Sequence, residues 1–257
     1  MPSSSRAGTA RTHVARKRFG QHFLHDPHAL ARMVEAIAPS PKDFVIEIGP
    51  GEGALTRLLL ERLERLQAIE LDRDLVQLLG KAFPRERLQI HSADALGFDF
   101  GGLPVGARIV GNLPYNISTP LLFHLSRWVE RFRDLHFLLQ KEVVERMVAQ
   151  PSTPAYGRLS VSLQSRFTMK RLFDIGPGAF RPPPKVESSF VRMQPIPSPL
   201  EIDEDVLRRA FSARRKTLRN ALPGVDWPSL GIDSGLRPEN LSARDYARIS
   251  ASLRRGG

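Results

Sequence analysis

The sequence predicts an α/β protein: a doubly wound, mostly parallel sheet followed by a small all-helical domain. Three observations lead there. Short buried-strand runs alternate with segments of helical apolar spacing, the first such strand runs directly into a glycine-rich turn, and beyond Pro195, Pro197 and Pro199 only helical patterning remains.

Asp26-Pro27 starts a helix whose apolar residues Leu30, Met33, Val34 and Ile37 share one face, and Pro39-Ser40-Pro41 ends it. Phe44-Val45-Ile46-Glu47-Ile48 reads as a buried strand entering Gly49-Pro50-Gly51-Glu52-Gly53, with a helix over 54–64 behind it. The strand Leu66-Gln67-Ala68-Ile69-Glu70 follows, then a helix capped by Asp72 that stops near Pro84. Leu88-Gln89-Ile90-His91 and Arg108-Ile109-Val110-Gly111 are the third and fourth strands. A helix over 121–131, a strand over 135–140 and a helix over 142–149 continue the alternation. Residues 158–166 alternate with period two and residues 186–193 are strand-like, which predicts an antiparallel hairpin at one sheet edge. Residues 203–254, including Phe211 to Arg219, are expected to be helical. This is a Rossmann-like arrangement over residues 16–195, a helical domain over 200–257 and a flexible basic arm over 1–15, with disorder expected over 2–12.

Composition narrows the function. The chain has 257 residues, 41% of them hydrophobic, enough for a large domain plus a small one with buried cores. No apolar run approaches the roughly 20 residues of a membrane span, so a soluble protein without a membrane partner is expected. With no cysteine, thiolate catalysis, disulfides and cysteine-held zinc are excluded, in keeping with a cytoplasmic location. His22, His25 and His28 recur every three residues without an acidic partner set, so no metal site is expected. Lys and Arg exceed Asp and Glu by 38 to 27, a net charge of +11. Such a balance suits a polyanion such as nucleic acid, or simple solubility. Met1 to His25 holds no acidic residue while Arg6, Arg11, Arg16, Lys17 and Arg18 are basic. This reads as an arm feeding an RNA site, or as a transit peptide; the absence of an apolar stretch excludes a secretory signal.

Chemistry concentrates at the predicted strand ends. Gly49, Gly51 and Ala54 fit the spacing of a dinucleotide-type turn, and Glu70, 21 residues after Gly49, is placed to hold ribose hydroxyls. NAD, S-adenosylmethionine and a plain structural turn all fit that much. Asp94, after the third strand, is a candidate acceptor for a cofactor's adenine amino group. Asn112-Leu113-Pro114-Tyr115 follows the fourth strand. An adenine amino nitrogen is a weak nucleophile because its lone pair is delocalised into the ring. The Asn112 amide oxygen and a backbone carbonyl near Leu113 could accept its two hydrogens and aim the lone pair at a sulfonium methyl. Pro114 stiffens the turn, and Tyr115 offers a ring for an extruded base. Positioning and electrostatics carry such a transfer, so no strong base is required.

At these residues the sequence resembles the ribosomal RNA adenine dimethyltransferase family, and its bacterial small-subunit (16S rRNA) branch best. The resembling stretches are Arg18-Phe19-Gly20-Gln21-His22-Phe23-Leu24, residues 47–56, Glu70-Leu71-Asp72-Arg73, residues 112–118, Gln140-Lys141-Glu142-Val143, Tyr156-Gly157-Arg158-Leu159-Ser160-Val161 and residues 180–188. The resemblance implies a Rossmann-like methyltransferase that uses S-adenosylmethionine and no metal. It adds two methyl groups to each of two adjacent adenosines near the 3′ end of 16S rRNA, late in small-subunit assembly. His22 and Leu24 would close over the cofactor, His22 standing where the family often has asparagine. Gly49 and Gly51 would face the methionine part, Glu70 with Leu71 the ribose, and Asp94 with Ala95 the adenine. Asn112 and Tyr115 would hold the target base, with Phe180 on its other face. Arg208, Arg209, Arg214, Arg215, Lys216 and Arg219 are candidates for gripping RNA phosphates, or form a solvated helix face. A monomer is expected, because a ribosomal particle itself supplies the large interface. The alternatives are a large-subunit (macrolide-resistance) adenine methyltransferase, a non-catalytic RNA-binding assembly factor and an NAD oxidoreductase.

Overall fold

The computed structural model describes residues 21–255, so the basic arm and the Arg18-Phe19-Gly20 part of the first motif lie outside the described residues. The strand β1 (Phe23–Leu24) leads to α1 (Pro27–Ile37). The Asp26 carboxylate accepts the Ala29 amide at 2.7 Å, and Pro27 occupies the first turn, where its missing N–H costs nothing. Leu30, Met33, Val34 and Ile37 are buried, and Ala38 ends the helix in the left-handed region at φ 47°.

Alternation follows through β2 (Val45–Ile48), α2 (Ala54–Leu60), β3 (Leu66–Glu70), α3 (Arg73–Ala82), β4 (Leu88–Ser92), β5 (Ala107–Asn112), α4 (Ser118–Ser126), β6 (Phe132–Gln140) and α5 (Lys141–Val148). Next come α6 (Arg158–Gln164), β7 (Phe167–Ile175), β8 (Phe180–Arg181) and β9 (Ser188–Pro195). One sheet has the order β4-β3-β2-β5-β6-β9-β7, parallel from β4 through β6, with β9 antiparallel to both β6 and β7. Strand alternation sends Ile46, Ile48, Ile109, Leu135 and Phe137 to one face, where they pack with residues of α4, α5 and α6. Val45, Ala68, Val110 and Leu138 go to the other face with residues of α1 and α2. β1 and β8 form a separate two-stranded ribbon.

Two expectations need correction. Residues 158–166 are not a strand: residues 158–164 form the helix α6 and 165–166 the turn after it. Leu159 and Leu163, one helical turn apart, enter the sheet core while Val161 enters the C-terminal core. The intervening serines are buried through hydrogen bonds, Ser160 Oγ to the Arg146 carbonyl and Ser162 Oγ to Glu204. A helix buried on two sides imitates the period of a strand. The hairpin partner of β9 is instead β7, where a register shift between Arg171 and Phe173 disrupts the alternation by which a strand is read. The basic run is also not one helix: α7 (Glu204–Ser212) ends before Arg214, and α8 (Leu218–Ala221) begins after Thr217.

With α9 (Trp227–Leu230) and α10 (Ala243–Arg255), these helices bury Leu207, Leu218, Leu222, Tyr246 and Ile249 in a third core. Tyr156 and Val161 join it from the sheet-bearing part, and the Tyr156 hydroxyl donates to the Leu241 carbonyl at 2.9 Å. At the opposite end of the sheet from the glycine turn, buried Arg108 donates to Asp134 from Nε (2.9 Å) and Nη2 (3.0 Å), to Asp43 (2.7 Å) and to two carbonyls ending α1. It ties that helix to β5 and β6. None of the helices among the described residues is long and apolar enough to cross a membrane.

Candidate active site

A cavity of about 240 Å³ opens at the carboxyl ends of the parallel strands, where an open α/β sheet presents backbone N–H groups and loops to a ligand. His22, Leu24, Gly49, Gly51, Glu70, Leu71, Asp94, Ala95, Asn112, Leu113, Pro114 and Tyr115 all line it. Residues more than 90 positions apart thus share one cleft. β1 forms its roof, the turns after β2 and β3 one side, and the segment after β5 the other.

The glycine turn is shaped by backbone need. Gly49 and Gly51 have φ +67° and +58°, where a side chain is strained, and a Cβ on Gly51 would stand 3.0 Å from the Phe23 ring. A further close approach lies beneath: a Cβ on Gly111 would meet the Ile48 carbonyl oxygen at 2.5 Å. Glycine there lets β5 and β2 run side by side into the site.

Two carboxylates sit in the floor. Glu47, on β2, is buried, and that burial, assisted by the charge of Glu70, pushes its pKa up to about 7 although the Thr56 hydroxyl donates to it at 2.6 Å. Glu70, ending β3, accepts the Asp72 amide at 2.8 Å and the Gly51 amide at 3.4 Å; burial raises its pKa against these bonds. Asp94 is exposed at the rim and accepts the Leu96 amide at 2.9 Å.

On the other side, Asn112 Nδ2 donates to the His22 carbonyl at 3.0 Å. Since that partner can only accept, the amide is oriented with its oxygen left for another donor. The Leu113 amide donates to the Leu138 carbonyl at 3.2 Å, anchoring the turn to β6. Ser118 Oγ donates to the Pro114 carbonyl at 3.0 Å, closing the next turn. The Tyr115 phenol meets Ser188 Oγ at 2.8 Å, and burial raises its pKa. Phe180 is placed differently: on β8, opposite Leu24, its ring is buried in the core on the α1 face and does not line the cavity.

The basic residues divide. Arg208 pairs with Asp205 at 3.0 Å on the outside of α7, and Arg209 reaches the Pro223 carbonyl at 3.5 Å. Arg214 is held by Glu239 at 2.7 Å and the Pro154 carbonyl at 2.9 Å. Arg215, Lys216 and Arg219 are exposed. Arg215 and Arg214 line a second cavity of about 360 Å³ together with Arg237, a residue outside the basic run. Among the described residues no cluster of three or more His, Asp or Glu could hold a metal ion. Sequence reasoning passed over Glu47, Ser188 and Arg237 as functional candidates. A strand glutamate in the apolar run Val45-Ile46-Glu47-Ile48 was the available signal for the first.

Comparison with known proteins gives the family. The model of ribosomal RNA adenine dimethylases matches residues 12–254. Proteins named ribosomal RNA small subunit methyltransferase A from Aromatoleum aromaticum and Thiobacillus denitrificans are each 56% identical to this chain. The alignments cover 93% and 94% of it and 94% and 98% of theirs. A dimethyladenosine transferase from Plasmodium falciparum superimposes with a TM-score of 0.78 at 25% identity, covering 91% of this chain and 98% of that one. The 23S rRNA methyltransferase ErmE, at 24% identity and a TM-score of 0.66, has the same fold. A Rossmann-like sheet with a glycine turn and an Asn-Leu-Pro-Tyr segment in one cleft, matched over nearly its whole length, places this chain in the ribosomal RNA adenine dimethylase family.

Proposed function

We propose that this chain transfers methyl groups from S-adenosylmethionine to the exocyclic amino nitrogens of two adjacent adenosines near the 3′ end of 16S rRNA, acting as a monomer on the assembling small subunit in the cytoplasm. The observation that carries the reading is the meeting of the glycine turn and Asn112–Tyr115 in one cleft. When bound, S-adenosylmethionine supplies an electrophilic sulfonium methyl group.

The residues present fit that cofactor. A Cβ on Gly51 would stand 3.0 Å from the Phe23 ring, and the Glu70 carboxylate sits at the end of β3 beside exposed Leu71. Gly49 and Gly51 would hold the methionine part, Glu70 and Leu71 the ribose, and Asp94 and Ala95 the adenine, under His22 and Leu24.

Asn112 performs the central step. Its Nδ2 is committed to the His22 carbonyl, so Oδ1 accepts one hydrogen of the target amino group while the Leu113 carbonyl accepts the other. The nitrogen lone pair is thereby withdrawn from the ring and directed across the cleft. Tyr115 stacks on one face of the extruded base. The basic arm (1–15) and the C-terminal segment (200–257), with Arg208, Arg209, Arg215, Lys216 and Arg219 at its surface, grip RNA phosphates; no resident metal takes part.

The test uses methyl-labelled S-adenosylmethionine with unmodified small-subunit particles, naked 16S rRNA and naked large-subunit rRNA, followed by digestion to nucleosides. Dimethyladenosine from the small-subunit particle is the expected result. Label from large-subunit rRNA would assign the chain to the other branch. Absence of label despite cofactor binding would leave an RNA-binding factor without catalysis.

A further inference from the structure

Tyr115 lies on the segment between β5 and α4, and two contacts hold its ring. The phenol oxygen shares a hydrogen bond of 2.8 Å with Ser188 Oγ. The His22 ring lies against it with centroids 5.4 Å apart and planes inclined by 33°. Both contacts lead to the same chain segment, because His22 Nδ1 donates to the Pro182 carbonyl at 2.7 Å.

The two ends of that segment differ in rigidity. Pro182 and Pro183 are exposed, whereas Ser188 is buried and opens β9, opposite Gln140 of β6 on one side and Ile175 of β7 on the other. Its neighbours are pinned too. The Glu187 carboxylate meets Lys141 Nζ at 2.6 Å, the Lys141 amide donates to the Glu187 carbonyl at 3.0 Å, and Ser189 Oγ donates to Asp174 at 2.6 Å. The Ser188 hydroxyl is therefore a fixed point of the sheet.

A ring tethered only at its Cβ end swings about χ1; a hydrogen bond at the far end, which lies on the χ2 axis, removes that swing and leaves rotation about the axis to the His22 contact. We propose that Ser188 is a positioning residue that fixes the direction of the Tyr115 ring and so the place of the surface on which the target adenine stacks. The inference rests on the reading of Tyr115 as the base-stacking residue. It assigns the sheet, through one serine hydroxyl, the task of pre-orienting the base relative to Asn112.

The test compares Ser188→Ala, Tyr115→Phe, the double variant and Tyr115→Ala on unmodified small-subunit particles. Each of the first two should lower kcat about fivefold, the worth of one hydrogen bond, with cofactor Kd and RNA KM unchanged within about twofold. The double variant should be no slower than either single one, because both remove the same bond. Wild-type kcat in Ser188→Ala overturns the inference, as do losses that multiply in the double variant, the mark of a merely structural serine. If Ser188→Ala fails to fold, Tyr115→Phe decides alone, and unchanged kcat there overturns it. Tyr115→Ala separates the two levels: full transfer in that variant removes the stacking reading itself, whereas its loss beside an unaffected Ser188→Ala removes only the role of Ser188.

Discussion

Replacing Glu47 by glutamine isolates the energetic cost of a carboxylate under the catalytic cleft. Glu47 is buried on β2, and burial lifts its pKa from 4.5 to about 7. In the unfolded chain the proton leaves near the ordinary value. Between 4.5 and 7 the folded protein therefore binds more protons than the unfolded one, and stability falls as pH rises through that interval. At 1.36 kcal/mol per pH decade the accumulated loss is ~3 kcal/mol, complete once pH exceeds the folded value. Glutamine keeps an oxygen for the Thr56 hydroxyl and does not titrate. Glu47→Gln should match the parent below the interval and exceed it by ~3 kcal/mol above it, about 6–12 °C in Tm for a chain of this size. Denaturant unfolding of both proteins across the interval measures this directly. Parallel stability curves would refute the reasoning, since a carboxylate that is hydrated and ionised in the folded state has no such dependence.

Other perturbations separate structure from chemistry. Asn112→Ala should fold, losing about 1 kcal/mol with its bond to the His22 carbonyl, and retain most cofactor affinity while methyl transfer disappears; near-normal turnover would sink the role given to its amide. Gly111→Ala drives a Cβ to 2.5 Å from the Ile48 carbonyl oxygen and should cost about 3 kcal/mol, read as a lowered denaturation midpoint. Arg215→Glu should leave stability unchanged but weaken RNA binding and flatten its salt dependence, whereas Arg214→Ala, which breaks the Glu239 contact, should lower Tm as well. An unchanged salt slope in Arg215→Glu would put the RNA footprint elsewhere.

Local signals were legible where one residue type satisfies one local need. Asp26-Pro27 begins α1 and Asp72 caps α3 because each carboxylate accepts a nearby amide of its own helix. The Gly49–Gly51 turn and Asn112–Tyr115 could be placed at strand ends from order alone. What escaped depends on partners far away in sequence. The helix α6 has two buried sides because a third core covers it, and no local period records that. β7 is bent by a register shift, so its pattern changes phase midway. Ser188 matters through the phenol of Tyr115, 73 positions earlier, and a serine carries no mark of its acceptor. Phe180 was read as facing the target base, and its ring lies in the core opposite Leu24. Arg214 looks like its neighbour Arg215 in sequence, but only one of them is committed to Glu239.

The place of β9 between β6 and β7 also governs how the chain is made. Among the described residues β7 pairs with β9 alone, so as the polypeptide leaves the ribosome β7 has no such partner until residues 188–195 emerge. Until then the outer edge of β6 and both edges of β7 stand bare, the condition under which strands pair with other chains. Arrival of β9 covers the β6 edge and one edge of β7 and delivers Ser188 to Tyr115 in the same event. Synthesis thus withholds a finished base-binding wall until β6 and β7 are joined through β9.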